Sequence, residues 1–264
     1  MNLVIGNSSQ LFPYFKEYDP DIIGISSRNI DFDKFTGCKI DRAFLTFAEQ
    51  RTFLNEDVDF FIKTNVDYTV DTIVKLAPMV KTFIVYSTSE LWNGYTGGIT
   101  VDMPFNNNNT PYIRSKELME YRINMLRIHH GIDIKIVYPF NFNSPYRKEG
   151  FLFSKFMSVI LHGEHITVGD LNFTRDIVHP KLIVDASLNT KSDIIVGSGN
   201  LINIRQYYID LLENFSINYM EYVTEQANTF INTREPYYFK TEHKYNNLLN
   251  DTIDDIRKFK NIIS

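Results

Sequence analysis

Thr82-Phe83-Ile84-Val85-Tyr86-Ser87-Thr88-Ser89-Glu90 is an almost purely apolar, β-branched run that turns polar at Ser87. A strand without polar alternation is buried on both faces, as the inner strands of a parallel sheet are. Further along, Tyr112-Ile113-Arg114-Ser115-Lys116 opens an amphipathic helix. Tyr112 and Lys116 stand at i and i+4 there, so both side chains project from one face. An ammonium beside a phenol favours the phenolate and brings the tyrosine down from about 10 towards the working range of a general base. A hydroxyl such as Thr88, at the carboxyl end of the neighbouring strand, holds a substrate hydroxyl against that phenolate. Together these groups make an alcohol-oxidising site. On its own the Tyr112–Lys116 pair is also what any surface helix can present; Thr88, Glu90 and Asn141 following in order give it chemical meaning.

Working outward, residues 2–5 are a short apolar strand followed by Gly6 and a helix that starts near Ser9, with Pro13 tolerated in its first turn. Residues 21–25 and 43–47 are the next strands, with hardly room between them for a helix, so this half of the sheet is abbreviated. Apolar residues at helical spacing run over 56–76 with Asn65 as a polar member, and Pro78 ends them. Residues 93–110 form a long loop, Gly131 closes the helix that follows it, and 132–138 are a strand. Alternating strand and helix predict an α/β, Rossmann-like doubly wound parallel sheet over residues 1–143. Residues 144–264 are expected to form a small α+β substrate lobe interleaved with it, with helices at 151–161, from 180, at 204–215 and at the end, and strands at 166–168 and 194–196. Ligands of such sheets bind beyond the carboxyl ends of the strands, where Gly6, Ser27, Phe47, Thr88 and Asn141 gather.

The chain has 264 residues and a formal net charge of -5, a balance that argues against a general nucleic-acid binder. One cysteine, Cys38, rules out an internal disulfide framework. No run reaches the length of a membrane span and no signal peptide is expected, so the protein is placed in the cytoplasm, off the membrane. No His, Cys, Asp and Glu cluster has ligand spacing, and no metal is expected. His129 and His130 end a helix, where histidine suits the dipole.

Over nearly its full length the chain resembles the extended short-chain dehydrogenase/reductase family, specifically its nucleotide-sugar epimerases, dehydratases and reductases. Tyr112 to Lys116 matches Tyr-x-x-x-Lys, and Ser87-Thr88-Ser89-Glu90-Leu91-Trp92 is similar to the Ser-Thr-Ser-Glu-Leu-Tyr of GDP-mannose 4,6-dehydratases. Pro139-Phe140-Asn141 resembles the segment flanking nicotinamide and sugar. Gly169 through Thr174-Arg175-Asp176-Ile177-Val178-His179 resembles the Gly-x-x-x-x-x-Arg-Asp-phi-x-His segment of the substrate lobe.

The resemblance implies catalytic roles for Tyr112, Lys116, Thr88 and Glu90, with Glu90 as the carboxylate that removes a proton beside a transient ketone. It implies substrate contacts at Ser89, Asn141, Arg175 and Arg234. It also implies NAD or NADP held by Gly6, Ser9, Gln10, Leu11, Ser27, Arg28, Asp31, Phe47, Asn65, Tyr112, Lys116 and Pro139. The expected substrate is a nucleotide-diphosphate sugar, the expected assembly a homodimer, and the expected reaction epimerisation or 4,6-dehydration by transient hydride transfer. An NADPH-dependent 4-keto sugar reductase and an inactive cofactor-binding scaffold are the alternatives.

Two departures bear on the cofactor. Gly-x-x-Gly-x-x-Gly appears as Gly6-Asn7-Ser8-Ser9-Gln10-Leu11-Phe12, which keeps only the first glycine. Phe12 must therefore push the helix away or turn outward. No acidic residue ends the second strand; Ser27 and Arg28 stand there, and a cation with a hydroxyl favours the 2'-phosphate of NADP.

Overall fold

The structure is a computed structural model and describes residues 1–52, 57–106, 110–226 and 236–263. In chain order it builds β1 (Asn2–Ile5), α1 (Phe12–Tyr18), β2 (Ile23–Ile25), β3 (Ile40–Leu45), α2 (Val58–Ile62), α3 (Thr69–Leu76), β4 (Val80–Tyr86), β5 (Gly97–Ile99), α4 (Pro111–His130) and β6 (Ile134–Pro139). It continues with β7 (Asn141–Phe142), α5 (Leu152–His162), β8 (Ile166–Val168), β9 (Thr174–Val178), α6 (Pro180–Asn189), β10 (Ile194–Val196) and β11 (Leu201–Asn203). The last elements are α7 (Ile204–Glu213), α8 (Tyr219–Tyr222), β12 (Val223–Glu225), β13 (Tyr237–Phe239) and α9 (Leu248–Ile263). Two compact units share the chain. The first comprises Met1–Asn93, Val101–Pro139 and Ile183–Val196; the second comprises Gly94–Thr100, Phe140–Leu182 and Gly197–Ser264.

The first unit is a six-stranded sheet in the order β10-β6-β4-β3-β1-β2, with every pair parallel. Its inner strands are dry on both faces, as the unbroken apolar runs require: Leu3, Val4, Ile5, Ala43, Phe44, Phe83 and Ile84 are fully buried. This is the expected doubly wound α/β sheet, and its first half is indeed short. Between β2 and β3 the chain makes only a 3-10 turn, Phe32–Phe35. The chain leaves β1 for β2 on one side and places β3 on the other, so the strand order reverses at β1. Beyond the carboxyl ends of β1 and β3 lies the crevice where such sheets take ligands.

Local chemistry sets the element ends. Thr110 caps α4, its hydroxyl accepting from the Ile113 amide at 3.4 Å, and Pro111 occupies the first helical position. Gly131, at φ +63, ends the helix in the left-handed region. The helix expected to start near Ser9 starts at Phe12, because residues 6–11 form a hydrogen-bonded turn instead. Residues 194–196, read from the sequence as part of the C-terminal lobe, form β10, the outer strand of the main sheet against β6.

The second unit carries a three-stranded sheet, β11-β9-β7, and two parallel ladders, β12–β8 and β13–β5. Its core joins α5, α7 and α9 around Phe153, Phe156, Tyr208, Leu211 and Ile256, with the Phe156 and Tyr208 rings stacked at 3.8 Å. The strands at 97–99, 141–142, 174–178, 201–203, 223–225 and 237–239 are not foreseen from the sequence. Each is five residues or shorter, too brief for a period-two pattern to declare itself.

Candidate active site

Tyr112 and Lys116 lie in the first turns of α4, as their spacing predicts. Lys116 is almost wholly buried, and its ammonium donates to the Tyr86 carbonyl at the end of β4 at 2.9 Å and approaches Met119 Sδ at 3.9 Å. Burial pulls its pKa down to about 8, opposed by the charge of Glu120. Tyr112 is half-buried and its ring meets the edge of Phe61 on α2 at 6.0 Å between centroids. The backbone beneath it is pinned: Ser115 Oγ donates to the Tyr112 carbonyl at 2.7 Å.

Ser115 is held in turn by Asn65. Between α2 and α3 the helix widens into a π turn, Lys63–Tyr68, and Asn65 is 1 % exposed there. Such insertions are frequent at functional sites. Asn65 Nδ2 donates to Ser115 Oγ at 3.1 Å and to the Glu49 carbonyl at 3.1 Å, and Oδ1 accepts from the Glu49 amide at 2.8 Å. One amide thus ties the segment after β3 to the helix bearing Tyr112.

Thr88 lies two residues beyond β4 and caps a 3-10 turn, Ser89–Trp92, its hydroxyl accepting from the Glu90 amide at 3.2 Å. Accepting that bond leaves the hydroxyl its own hydrogen to donate. Glu90 is half-buried in the first turn of this 3-10 segment and Ser89 is buried. Just before Thr88, Ser87 Oγ donates to Glu120 Oε1 at 2.6 Å, and Tyr138 OH on β6 donates to Glu120 Oε2 at 2.8 Å. Burial pushes the Glu120 carboxyl up to about 7, against the hydrogen bonds from Ser87 and Tyr138 and the charge of Lys116. Neither Glu120 nor Tyr138 is singled out by sequence reading. The signal for Glu120 is there, because it stands four residues after Lys116 on the same face of α4.

At the carboxyl ends of β1 and β3, Gly6 adopts φ +111, and a Cβ there would meet Thr46 Oγ1 at 2.8 Å. Thr46 Oγ1 donates to the Gly6 carbonyl at 3.0 Å, so the first glycine of the altered motif is required by its neighbours. Ser9, in place of the second glycine, knits the turn: its Oγ accepts from the Leu11 amide at 3.3 Å and its carbonyl from Phe12 at 3.0 Å. Phe12, in place of the third, does not push the helix off the sheet. Its ring lies over Gly24 on β2, where an added Cβ would come within 2.2 Å of Phe12 Cζ. The close approach that a glycine on the helix normally permits is permitted by a glycine on the strand. Gln10 is half-buried and Leu11 buried in this turn.

After β2, Ser27 is half-buried and Arg28 exposed, the Arg28 amide donating to Ser26 Oγ at 3.1 Å. Tyr68 of the π turn donates to the Ser27 carbonyl and packs edge-on against Phe47 at 5.3 Å, which gathers Ser27, Phe47 and Tyr68. Asp31 is exposed and pairs with Lys34 at 3.5 Å. Pro139 is buried at the end of β6, in register with Val196.

Asn141 and Arg175 belong to the second unit. Asn141 is exposed on β7, paired with Ile177. Arg175 on β9 donates to the Thr174 carbonyl at 2.7 Å and lies 4.9 Å from the Phe173 ring centroid. Its neighbour Asp176 is fully buried and accepts from Ser198 N, Ser198 Oγ, Gly199 N and Phe239 N, clamping β13 to the turn after β10. His179 Nε2 meets Asp255 on α9 at 2.9 Å. The Asp and His of the Arg-Asp-phi-x-His segment thus serve the architecture of this unit. Arg234 lies outside the described residues.

The residues of the first unit fit a dinucleotide. The tight turn at Gly6, an ammonium with a donor beyond its bond to Tyr86, and an exposed cation after β2 are the groups that diphosphate, ribose and adenosine ends call for. Among the described residues no helix is long and apolar enough to cross a membrane.

Comparison with known proteins bears on the family and the fold. A model of the NAD dependent epimerase/dehydratase family matches residues 48–190, more than half of the chain. No curated protein sequence matches the chain. Among solved structures, MoeE5 in complex with UDP-glucose and NAD is similar over 99% of both chains, at 14% identity and a TM-score of 0.81. RMD from Pseudomonas aeruginosa, complexed with NADPH, is similar over 98% of both at 16% identity and 0.78. DesIV, a dTDP-glucose 4,6-dehydratase from Streptomyces venezuelae with NAD and TYD bound, is similar over 99% of this chain and 98% of that one, at 17% identity and 0.78.

Proposed function

Because the chain belongs to the NAD dependent epimerase/dehydratase family, we propose that it is an NAD(P)-dependent nucleotide-sugar epimerase or 4,6-dehydratase. The observation that carries this reading is Lys116: a buried ammonium, fixed by the Tyr86 carbonyl, one helical turn from Tyr112 and beside the strand end bearing Thr88. A buried charge is costly and persists where it has work to do.

In this reading Tyr112 takes the proton of a sugar hydroxyl and Thr88 donates a hydrogen bond to the same oxygen. Lys116 favours the negative charge that forms on Tyr112 and holds ribose hydroxyls with its remaining donors. A bound nicotinamide dinucleotide supplies the hydride exchange at the sugar carbon. Glu90 then removes or returns a proton on the carbon beside the resulting carbonyl, whose C–H is acidified. Ser89 contacts the sugar. Asn141, Arg175 and Arg234 contact sugar and diphosphate, for which guanidinium is suited by its paired donors. Gly6, Ser9, Gln10 and Leu11 form the diphosphate turn, and Ser27, Arg28, Asp31 and Phe47 take the adenosine end. Asn65 acts by holding the Glu49 backbone, and Pro139 lines the nicotinamide side.

Tyr112→Phe is expected to lower turnover by at least about 10²-fold while sparing cofactor affinity; unchanged turnover overturns the assignment. The exposed guanidinium of Arg28 supports NADP over NAD and favours, as a second reading, a 4-keto sugar reductase that consumes NADPH. Net consumption of NADPH selects the reductase; for the cofactor itself, tighter NADPH than NADH binding by calorimetry, lost in Arg28→Ala, is the expected result, and equal affinities in the wild type contradict it.

A further inference from the structure

One turn along α4 from Lys116 stands a buried carboxylate that the proposed reaction does not use, Glu120. It is 5 % exposed, on the same face of α4, and it bonds to two other elements through one oxygen each: Ser87 at the end of β4 and Tyr138 on β6. Two hydroxyl donors, one per oxygen, suit an ionised carboxylate. The carboxylate therefore locks the strand end that carries Thr88 to the helix that carries Tyr112, and sets a negative charge one turn below the ammonium. With both groups out of water, that charge is weakly screened.

We propose that Glu120 is a positioning residue of the active site, whose carboxylate anchors the Ser87–Thr88 strand end and acts as the counter-charge that keeps Lys116 an ammonium. This rests on the reading of Tyr112 and Lys116 as the reacting pair, and assigns Glu120 no contact with substrate. The other ionisable groups around it are accounted for. Tyr138 on β6 is driven strongly upward by burial and by Glu120, and stays a hydroxyl donor. Tyr86 on β4 is likewise raised by burial and bonds to Ser187 on α6. Asp193 before β10 is taken up by Arg127 of α4 at 2.5 Å. Glu120 is thus the carboxylate left to serve Lys116. Burial pushes the Glu120 carboxyl up and pulls the Lys116 ammonium down, so each group relies on the charge of the other to stay ionised.

The test reads Lys116 directly. In protein labelled at lysine 13Cε, the Lys116 signal, identified by its loss in Lys116→Met, is followed against pH in the wild type, Glu120→Gln and Glu120→Asp. The expected result is a Lys116 midpoint lower by about one unit or more in Glu120→Gln, largely restored in Glu120→Asp. A several-fold weaker affinity for NADPH at pH 7.5 is expected to accompany the fall. A folded Glu120→Gln protein whose Lys116 titrates as in the wild type overturns the proposal. Should that variant not fold, Tyr138→Phe serves: losing one hydroxyl weakens the ionised carboxylate, so the Lys116 midpoint again falls, and no change overturns the proposal. Failure of the functional reading shows separately, as wild-type turnover in Tyr112→Phe, whatever Lys116 does.

Discussion

Lys116 shows at the scale of one residue how stability and function oppose each other. Its folded pKa lies below that of an ordinary lysine, so the unfolded chain holds more protons between about pH 8 and 10.5, and stability rises with pH over that window. Measured by urea unfolding, the stability of the wild type relative to Lys116→Met is expected to increase by about 3 kcal/mol from pH 8 to 10.5. A pH-independent difference contradicts the burial argument. Dinucleotide affinity is expected to fall over the same rise, as the ammonium loses its charge. The positions of Tyr112 and Lys116 on one helix, and of Thr88 and Glu90 just past an apolar strand, were legible in the sequence because they are local features. Ser115, Tyr138 and Tyr68 were not, since their partners are distant in the chain and a lone hydroxyl has no pattern.

At the scale of elements, the glycine turn is the part that sequence reasoning could pose but not solve. Phe12 reads as an obstacle to packing α1 on the sheet, and only the pairing of β1 with β2 brings Gly24 beneath the ring. Gly24→Ala is expected to destabilise by about 1–3 kcal/mol, and to cost much less in a Phe12→Ala background. Equal costs in both backgrounds, by thermal or urea unfolding, contradict the contact. The π turn is a similar case. Asn65 in an apolar series signalled a special position, but the widened helix that turns it toward Glu49 and Ser115 has no sequence code. Asn65→Ala is expected to cost about 1–3 kcal/mol, because the half-buried Glu49 backbone and the buried Ser115 hydroxyl lose a shared partner.

For the whole molecule, the alternation of strand and helix was enough to predict a doubly wound sheet, and the trimmed first half followed from the short interval read between residues 25 and 43, which the structure shortens further by starting β3 at Ile40. The second unit was less readable because its strands are short and pair across long stretches of chain, as β13 does with β5. On the first unit, Tyr121, Met125 and Ile128 leave one face of α4 apolar and exposed, Ile128 at 74 %. This face suits the homodimer expected from the family resemblance: Ile128→Lys is expected to shift the protein to monomer by sedimentation, and a wild type already monomeric at high concentration contradicts it.

The central claim is chemical, and product analysis tests it most directly. Purified protein is incubated with NAD or NADP and UDP-, dTDP- and GDP-hexoses, and the sugar is followed by NMR and mass spectrometry. The account predicts an epimer of unchanged mass, or a product lighter by one water, formed by the wild type and absent with Tyr112→Phe. No conversion of any of these sugars, together with no calorimetric binding of NAD, NADP or NADPH, contradicts it.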